Sequence, residues 1–164
     1  MIDTPQQGFT HCSAAALRMA ARRVSQFYDA CLAPAGLKVS QYSVLSTAAR
    51  RRDKPPTVNE LAVELGMDRS TLGHNLRPLE RDALIVLEAD PRDKRIRRVV
   101  VTEIGRQKRR ACRDLWVVAQ ARFEEAFGHE RAIELGALLS SIARELRLDA
   151  ASLPSPTEGS QHAR

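Results

Sequence analysis

The sequence predicts a mainly α-helical (α+β) fold that contains a single two-stranded β-hairpin. Ala, Leu and Arg are abundant, and these residues favour helix because they lose little side-chain freedom there. Apolar residues recur at three- and four-residue spacing along most of the chain, as on one face of a helix. Two short apolar runs, 84–89 and 96–102, instead flank a polar loop and are typical of paired strands. At 164 residues the chain is long enough for one domain with a core.

The N-terminal part of the chain predicts an arm followed by two helices. Residues 1–10 lack periodicity and are expected to form a flexible arm. A first helix is predicted over 11–32, with Thr10 as its N-cap and the run APAG at 33–36 ending it. A second helix is expected from Ser40 to Arg51. Its inward residues would be Tyr42, Leu45 and Ala49.

The next segment predicts two short helices joined by a turn. Thr57 and Glu60 have the spacing of a capping box, in which each side chain satisfies a free N–H of the first helical turn. Gly66 suits the left-handed position that ends such a helix. Asp68 would then cap a helix running from 69 to 82. Two helices joined this tightly predict a helix-turn-helix, and the hairpin that follows would be its wing.

The C-terminal part predicts a long helix and a final helix. Thr102 would cap the first, over 103–127, and Gly128 would end it; the second spans 129–148. The tail, 149–164, is rich in Pro, Ser and Gly and is expected to be disordered. The stripe predicted for the long helix consists of Cys112, Trp116, Ala119, Phe123 and Phe127. The final helix would turn Leu135, Leu139, Ile142 and Leu146 inward.

The excess positive charge is confined to one segment of the chain. The net charge is +6, and residues 66–113 contain 13 Lys and Arg against seven Asp and Glu, so the remainder is neutral. A local basic field of this kind suits a polyanion, either nucleic acid or a membrane surface. A membrane role is disfavoured because this segment lacks a large apolar face.

The second helix of the helix-turn-helix carries polar residues beside a buried stripe. Leu72, Leu76 and Leu79 share one face and are expected to pack into the core. Arg can bind guanine and Asn can bind adenine in a bidentate manner, while hydroxyls in the first turn suit phosphates. Gly73 would either allow close approach to a groove or simply be tolerated. The residues predicted to contact DNA are Arg69, Ser70, Thr71, His74, Asn75 and Arg77.

The hairpin loop concentrates further cations. Its sequence, DPRDKRIRR, contains five Lys and Arg residues within seven positions. Arginine at a hairpin tip fits the minor groove, where it responds to groove width and negative potential. Asp93 is expected to hold an arginine, Arg95, rather than to contact DNA. The wing residues predicted to contact DNA are Arg92, Lys94, Arg95 and Arg97.

Several functional classes find no support in the sequence. There is no Gly-rich phosphate loop, no nucleophile elbow and no zinc-binding helix motif, so we expect no enzyme, no cofactor and no metal site. The three cysteines are too widely spaced for a disulfide framework. With no signal peptide and no apolar run long enough to span a bilayer, a cytoplasmic location without membrane association is expected.

The chain resembles the MarR family of bacterial transcription regulators from about residue 11 to 148. The resemblance is strongest over LAVELGMDRSTLGHNLRPLERDALI and in the wing pattern Asp90, Arg92, Asp93 and Arg95, followed by VTEIG. It implies a winged helix-turn-helix with a DNA-binding lobe at about 40–101 and a homodimer. The dimerisation helices would be 11–32, 103–127 and 129–148, whose apolar faces a small lobe could not cover alone.

The resemblance also implies a palindromic promoter site on double-stranded DNA, and repression relieved by a small aromatic ligand or by thiol oxidation. The candidate effector or redox residues are Cys12, Arg18, Tyr42 and Trp116. Three alternatives stay open at Cys12 and its surroundings: a noncovalent ligand, a redox sensor, or no sensing. An architectural DNA-binding protein without an effector is the alternative function.

Overall fold

A computed structural model describes residues 12–145 of the chain. The mainly α prediction with one hairpin is confirmed: six α-helices and two strands follow one another in the expected order. Their bounds are α1 Ser13–Leu32, α2 Val39–Arg50, α3 Val58–Glu64, α4 Arg69–Arg81, β1 Ile85–Ala89, β2 Arg97–Val101, α5 Glu103–Phe127 and α6 His129–Glu145. A short 3₁₀ turn, Ala33–Ala35, follows α1. The predicted arm (1–10) and tail (149–164) lie outside the described residues.

Helix α1 begins later than the sequence predicts. Cys12 occupies the N-cap position with an extended backbone, and its side chain makes no capping hydrogen bond. The expectation that Thr10 caps this helix is therefore wrong, and Thr10 and His11 lie outside the described residues. The helix ends as predicted at the APAG run, where Gly36 has a φ of 65° in the left-handed region that favours glycine.

The predicted local contacts cap both helices of the helix-turn-helix. The Thr57 hydroxyl accepts from the Glu60 backbone N–H at 3.1 Å, and the Glu60 carboxylate accepts from the Thr57 N–H at 2.8 Å. Asp68 accepts from the Thr71 N–H at 2.8 Å and so caps α4. Gly66 has a φ of 61° between the two helices. The starts of both helices are therefore specified by hydrogen bonds between residues three positions apart in the chain.

The two strands form an antiparallel hairpin attached to the segment before α3. The register runs from Ile85 opposite Val101 to Ala89 opposite Arg97. The Val99 N–H donates to the Pro56 carbonyl at 2.8 Å, and Arg98 forms an isolated bridge with Thr57. These contacts fix the base of the wing against the start of α3.

The core of the helix-turn-helix is a single apolar cluster. Leu72, Leu76 and Leu79 of α4 are buried as predicted, together with Leu61 of α3 and Val99 of β2. Burial of such side chains contributes on the order of 1.5–3 kcal/mol each. The polar face of α4 is consequently turned away from the protein.

The start of α5 packs closely on the end of the loop before β1. Thr102 accepts from the Gly105 N–H at 2.9 Å and so caps the helix, as predicted. A Cβ at Gly105 would lie 2.0 Å from the Leu84 carbonyl oxygen, a distance that no side chain tolerates. Gly105 is therefore required by this approach, which the sequence did not reveal.

The described chain divides into two compact units, one up to Arg122 and the other from Phe123. In the second unit the Phe123 and Phe127 rings stack at 5.5 Å, and the Arg131 guanidinium lies 4.5 Å from the centre of the Phe127 ring. None of the described residues of α6 is buried. The expectation that Leu135, Leu139 and Ile142 are covered is therefore not met within one chain, and Leu146 lies outside the described residues.

Apolar side chains of α1 are exposed in the same way. Leu17 is 40% exposed and Met19 is 61% exposed. Ala20 is also exposed, and Val24 and Phe27 are half-buried. Among residues 12–145, no helix combines the length and apolarity needed to cross a bilayer.

Candidate nucleic-acid interface

The outward face of α4 is polar and accessible. Ser70, His74 and Arg77 are all exposed, on the side of the helix opposite the buried leucines. Asp68, which caps the helix, has its pKa lowered below the ordinary value, chiefly because the Thr71 hydroxyl and N–H donate to it. The first turn of α4 is therefore capped by the protein itself, whereas its outward polar face is accessible to a ligand.

A cleft of about 530 Å³ lies between α4 and the wing. Arg69 and Arg77 line it from α4, and Arg95 and Arg97 line it from the hairpin. Gly73 also lines it, and a Cβ there would meet no atom within 4 Å. Protein packing therefore does not require this glycine. Both interpretations stay open: it allows close approach to a groove, or it is simply tolerated.

The tip of the wing carries an exposed ion pair. Arg95 donates from Nε and a terminal nitrogen to the two Asp93 oxygens at 3.1 and 3.0 Å, and its side chain is 91% exposed. These hydrogen bonds lower the pKa of Asp93 and raise that of Arg95. Asp93 therefore contacts Arg95, the partner predicted for it. Arg92 and Lys94 are exposed on the same turn.

The base of the wing carries a second, buried ion pair that the sequence analysis missed. Arg98 donates from Nε to Asp90 at 2.5 Å and from another nitrogen to the Pro55 carbonyl at 2.6 Å. The Asp90 side chain is 7% exposed and also accepts from the Arg92 N–H at 2.8 Å. Two-residue alternation places Arg98 on the face opposite the buried Val99 and Val101, so the strand pattern did not indicate that it is buried.

Two of the α4 residues predicted to contact DNA are hydrogen-bonded within the protein. The Thr71 hydroxyl donates to Asp68 at 2.5 Å, so its hydrogen is used by the helix cap. Asn75 is half-buried on the side of α4 that faces α2. Its amide bonds the Ser40 hydroxyl and the Thr71 carbonyl. Their direct contact with DNA stays a prediction.

The candidate effector residues fall into two groups. Tyr42 is buried on α2 and lies 6.4 Å, between ring centroids, from the half-buried Trp116 on α5. Cys12 and Arg18 are exposed in the first turns of α1. Of the other thiols, Cys112 is fully buried, and this burial raises its pKa, while Cys31 is half-buried. Among residues 12–145 no cluster of three or more His, Cys, Asp or Glu is placed to bind a metal ion.

The chain is similar in sequence and in structure to known transcriptional regulators. A sequence model of the MarR family matches residues 35–96, which include α2, α3, α4 and the wing turn. Among curated proteins no sequence matches significantly. A MarR-family regulator from Rhodococcus sp. RHA1 is 26% identical and superposes with a TM-score of 0.71, over 86% of this chain and all of that one.

Two further relatives have been solved with bound molecules. The M. tuberculosis transcriptional regulator MosR, in complex with DNA, is 31% identical over 81% of this chain and 98% of that one, with a TM-score of 0.65. The repressor CouR is 26% identical and was solved with a 23-mer DNA duplex (TM-score 0.75, covering 87% of this chain and all of that one). CouR from Rhodococcus jostii RHA1 was also solved with p-coumaroyl-CoA (TM-score 0.68, covering 88% of this chain and all of that one). The chain belongs to the MarR family of DNA-binding transcriptional regulators, which are not enzymes.

Proposed function

We propose that the protein is a homodimeric repressor that binds a palindromic promoter site and is released by an effector. Helix α4 enters the major groove with Ser70, His74 and Arg77 toward the base edges. The wing places Arg95 and Arg97, with Arg92 and Lys94 beside them, along the adjacent minor groove and its phosphates. Arg69 contacts the backbone from the first turn of α4.

The observation that carries this proposal is the cleft between α4 and the wing. Four arginine side chains, two from each element, line one concave surface. Among residues 12–145, only Arg95 of these four forms an ion pair, and its partner Asp93 lies at the exposed tip. The three arginines without an ion pair outnumber the one carboxylate that lines the same cleft, Glu80. This positive surface beside an exposed polar helix matches the phosphate backbone and groove of a duplex.

A second copy of the chain is proposed to cover the exposed apolar side chains. Met19 on α1 and Ile133 and Leu138 on α6 are each about 60% exposed, which is costly for helices in water. A twofold dimer would bury them and present two α4 helices one turn of DNA apart, roughly 34 Å. This spacing is the reason for expecting a palindrome.

The effector is proposed to be a small aromatic ligand or an oxidant. The aromatic route rests on the Tyr42–Trp116 pair and on CouR, a relative that binds p-coumaroyl-CoA. The oxidant route rests on Cys12, an exposed thiol at the N-cap of α1. An architectural role without an effector stays the alternative function.

Binding is tested with a labelled duplex from the region upstream of the protein's own gene. Arg95→Ala should weaken binding and reduce the slope of log affinity against log salt by about one, because one phosphate contact is lost. The matched control is Arg113→Ala, which removes an exposed cation of α5. Unchanged affinity and slope in Arg95→Ala would remove the wing from the interface.

Effector release is tested on the same complex with peroxide and with a panel of aromatic acids and their CoA thioesters. If peroxide releases the DNA and Cys12→Ser abolishes that release, the effector is an oxidant. If an aromatic compound releases the DNA and Trp116→Ala weakens that release, the effector is an aromatic ligand. Release by neither, with weak sequence preference, would favour the architectural alternative.

A further inference from the structure

Asn75 lies on the side of α4 that faces α2, at the edge of the candidate DNA interface and not on the outward face of the helix. Helical spacing places it beside the buried row of Leu72, Leu76 and Leu79, and it is half-buried. Its Oδ1 accepts from the Ser40 hydroxyl of α2 at 2.7 Å. Its Nδ2 donates to the Thr71 carbonyl at 2.9 Å. Both ends of the amide are thus bonded to the protein.

The chemistry of the partners fixes the orientation of this amide. A backbone carbonyl can only accept, so the amide atom facing the Thr71 oxygen must be the donor, Nδ2. Oδ1 then faces Ser40, whose hydroxyl rotates to donate. A flipped amide would set two oxygens against each other 2.9 Å apart. The bidentate grip on adenine requires an oxygen and an N–H presented together to the base, and here both are turned to protein partners.

The residues just before Ser40 are held by hydrogen bonds at the start of α2. The Val39 N–H donates to the Asp29 carboxylate of α1 at 2.7 Å, and the Lys38 N–H donates to the Gln41 side chain at 2.9 Å. The first turn of α2 is therefore anchored to α1 on one side and to α4 on the other. Two adjacent residues of α2, Val39 and Ser40, therefore join three helices beside the candidate interface.

We infer that Asn75 is a positioning residue: through Ser40 it sets where α4 lies against α2, and base preference comes from Ser70, His74 and Arg77. This inference rests on the proposed function and replaces the sequence-based expectation that Asn75 contacts a base. A displaced α4 would fit every duplex less well, whereas a lost base contact weakens binding only where that base pair is present.

The test measures binding of Ser40→Ala, Asn75→Ala and the double variant to the upstream duplex and to single-base-pair substitutions of it. Each single variant should weaken binding to all duplexes by a similar factor, roughly two- to tenfold for one hydrogen bond. The ranking of the duplexes and the salt slope should stay those of the wild type. The double variant should bind as Asn75→Ala does, because both changes remove one shared contact.

Two controls separate positioning from damage to the fold. Ser40→Thr keeps the hydroxyl and should restore wild-type affinity. His74→Ala should change the ranking of the duplexes, because it lies on the outward face. Thermal unfolding shows whether each variant is folded at the binding temperature, and Ser40→Ala carries the test if Asn75→Ala is not.

The inference would be overturned if Asn75→Ala flattened the preference at particular base pairs while Ser40→Ala left binding unchanged. Additive losses in the double variant would also overturn it. If the wild-type protein bound none of the duplexes at low salt, the proposed function itself would be overturned. That outcome is distinct from the two results that would overturn the inference about Asn75.

Discussion

The tip and the base of the wing use the same pair of residue types in opposite surroundings. At the tip, the Arg95 side chain is 91% exposed and forms a solvent-exposed ion pair with Asp93. At the base, Arg98 is 21% exposed and holds an almost fully buried Asp90. The two pairs lie within nine residues of one hairpin. Burial, rather than residue type, separates their roles.

The difference follows from solvation. An exposed ion pair contributes little, because water and salt screen it and each partner is nearly as well solvated alone. Arg95 can therefore exchange Asp93 for a phosphate at small cost. Removing one partner of a buried pair leaves an uncompensated charge, which is strongly destabilising. Arg98 is accordingly a fixed link from the wing to the Pro55 carbonyl, and Arg95 is the replaceable contact.

Breaking the buried pair should have the largest effect. Arg98→Ala leaves Asp90 without its cation and removes the bond to Pro55, so Tm should fall by roughly 5–10 °C and DNA binding should fall with it. Arg97→Ala, the exposed neighbour, is the control and should leave Tm unchanged. Calorimetry checks both, and equal Tm values for the two variants would contradict the assignment of Arg98 as an anchor.

The pH dependence of stability sharpens the comparison. The Arg92 N–H and the Arg98 guanidinium hold the pKa of Asp90 below its ordinary value of 3.8. Because the folded pKa is lowered, the stabilisation is complete above the ordinary value and is lost as pH falls through the lowered one. The difference in unfolding free energy between wild type and Asp90→Asn should therefore be large at about pH 6 and shrink in acid below the ordinary pKa. Denaturant titrations across this range check it, and a constant difference would contradict it.

Breaking the exposed pair should have the smallest effect. Asp93→Asn frees Arg95 and removes a negative charge beside the duplex, so Tm should stay the same and DNA affinity should rise by no more than about fivefold. Asp82→Asn breaks another exposed pair, with Arg81, and serves as the control without a change in affinity. A large loss of Tm in Asp93→Asn would show that the tip pair is structural.

Local sequence predicted those parts of the site whose partners are close in the chain. The cap of α4 by Asp68, the capping box of Thr57 and Glu60, and the Asp93–Arg95 pair all join residues two or three positions apart. Such contacts depend on backbone geometry that the local residues themselves set. The prediction of Thr10 as N-cap was wrong because several residues before a helix can occupy that position, and in this chain Cys12 occupies it.

Contacts between distant segments were not predictable in this way. Ser40 and Asn75 are 35 positions apart, and Arg98 and Pro55 are 43 apart. The close approach of Gly105 to the Leu84 carbonyl is of the same kind. Polar residue types alone do not say which partner each one meets, because packing of the apolar helix faces brings these segments together.

The sequence by itself determined the order of the elements, the caps of the helix-turn-helix, the buried leucines of α4 and the confinement of the excess positive charge to residues 66–113. Tertiary structure decided which arginine of the wing is buried and which is free, and that both ends of the Asn75 amide meet protein partners. The reason is physical: periodicity and local hydrogen bonds act within one turn of chain, whereas burial and desolvation depend on what the rest of the fold places alongside.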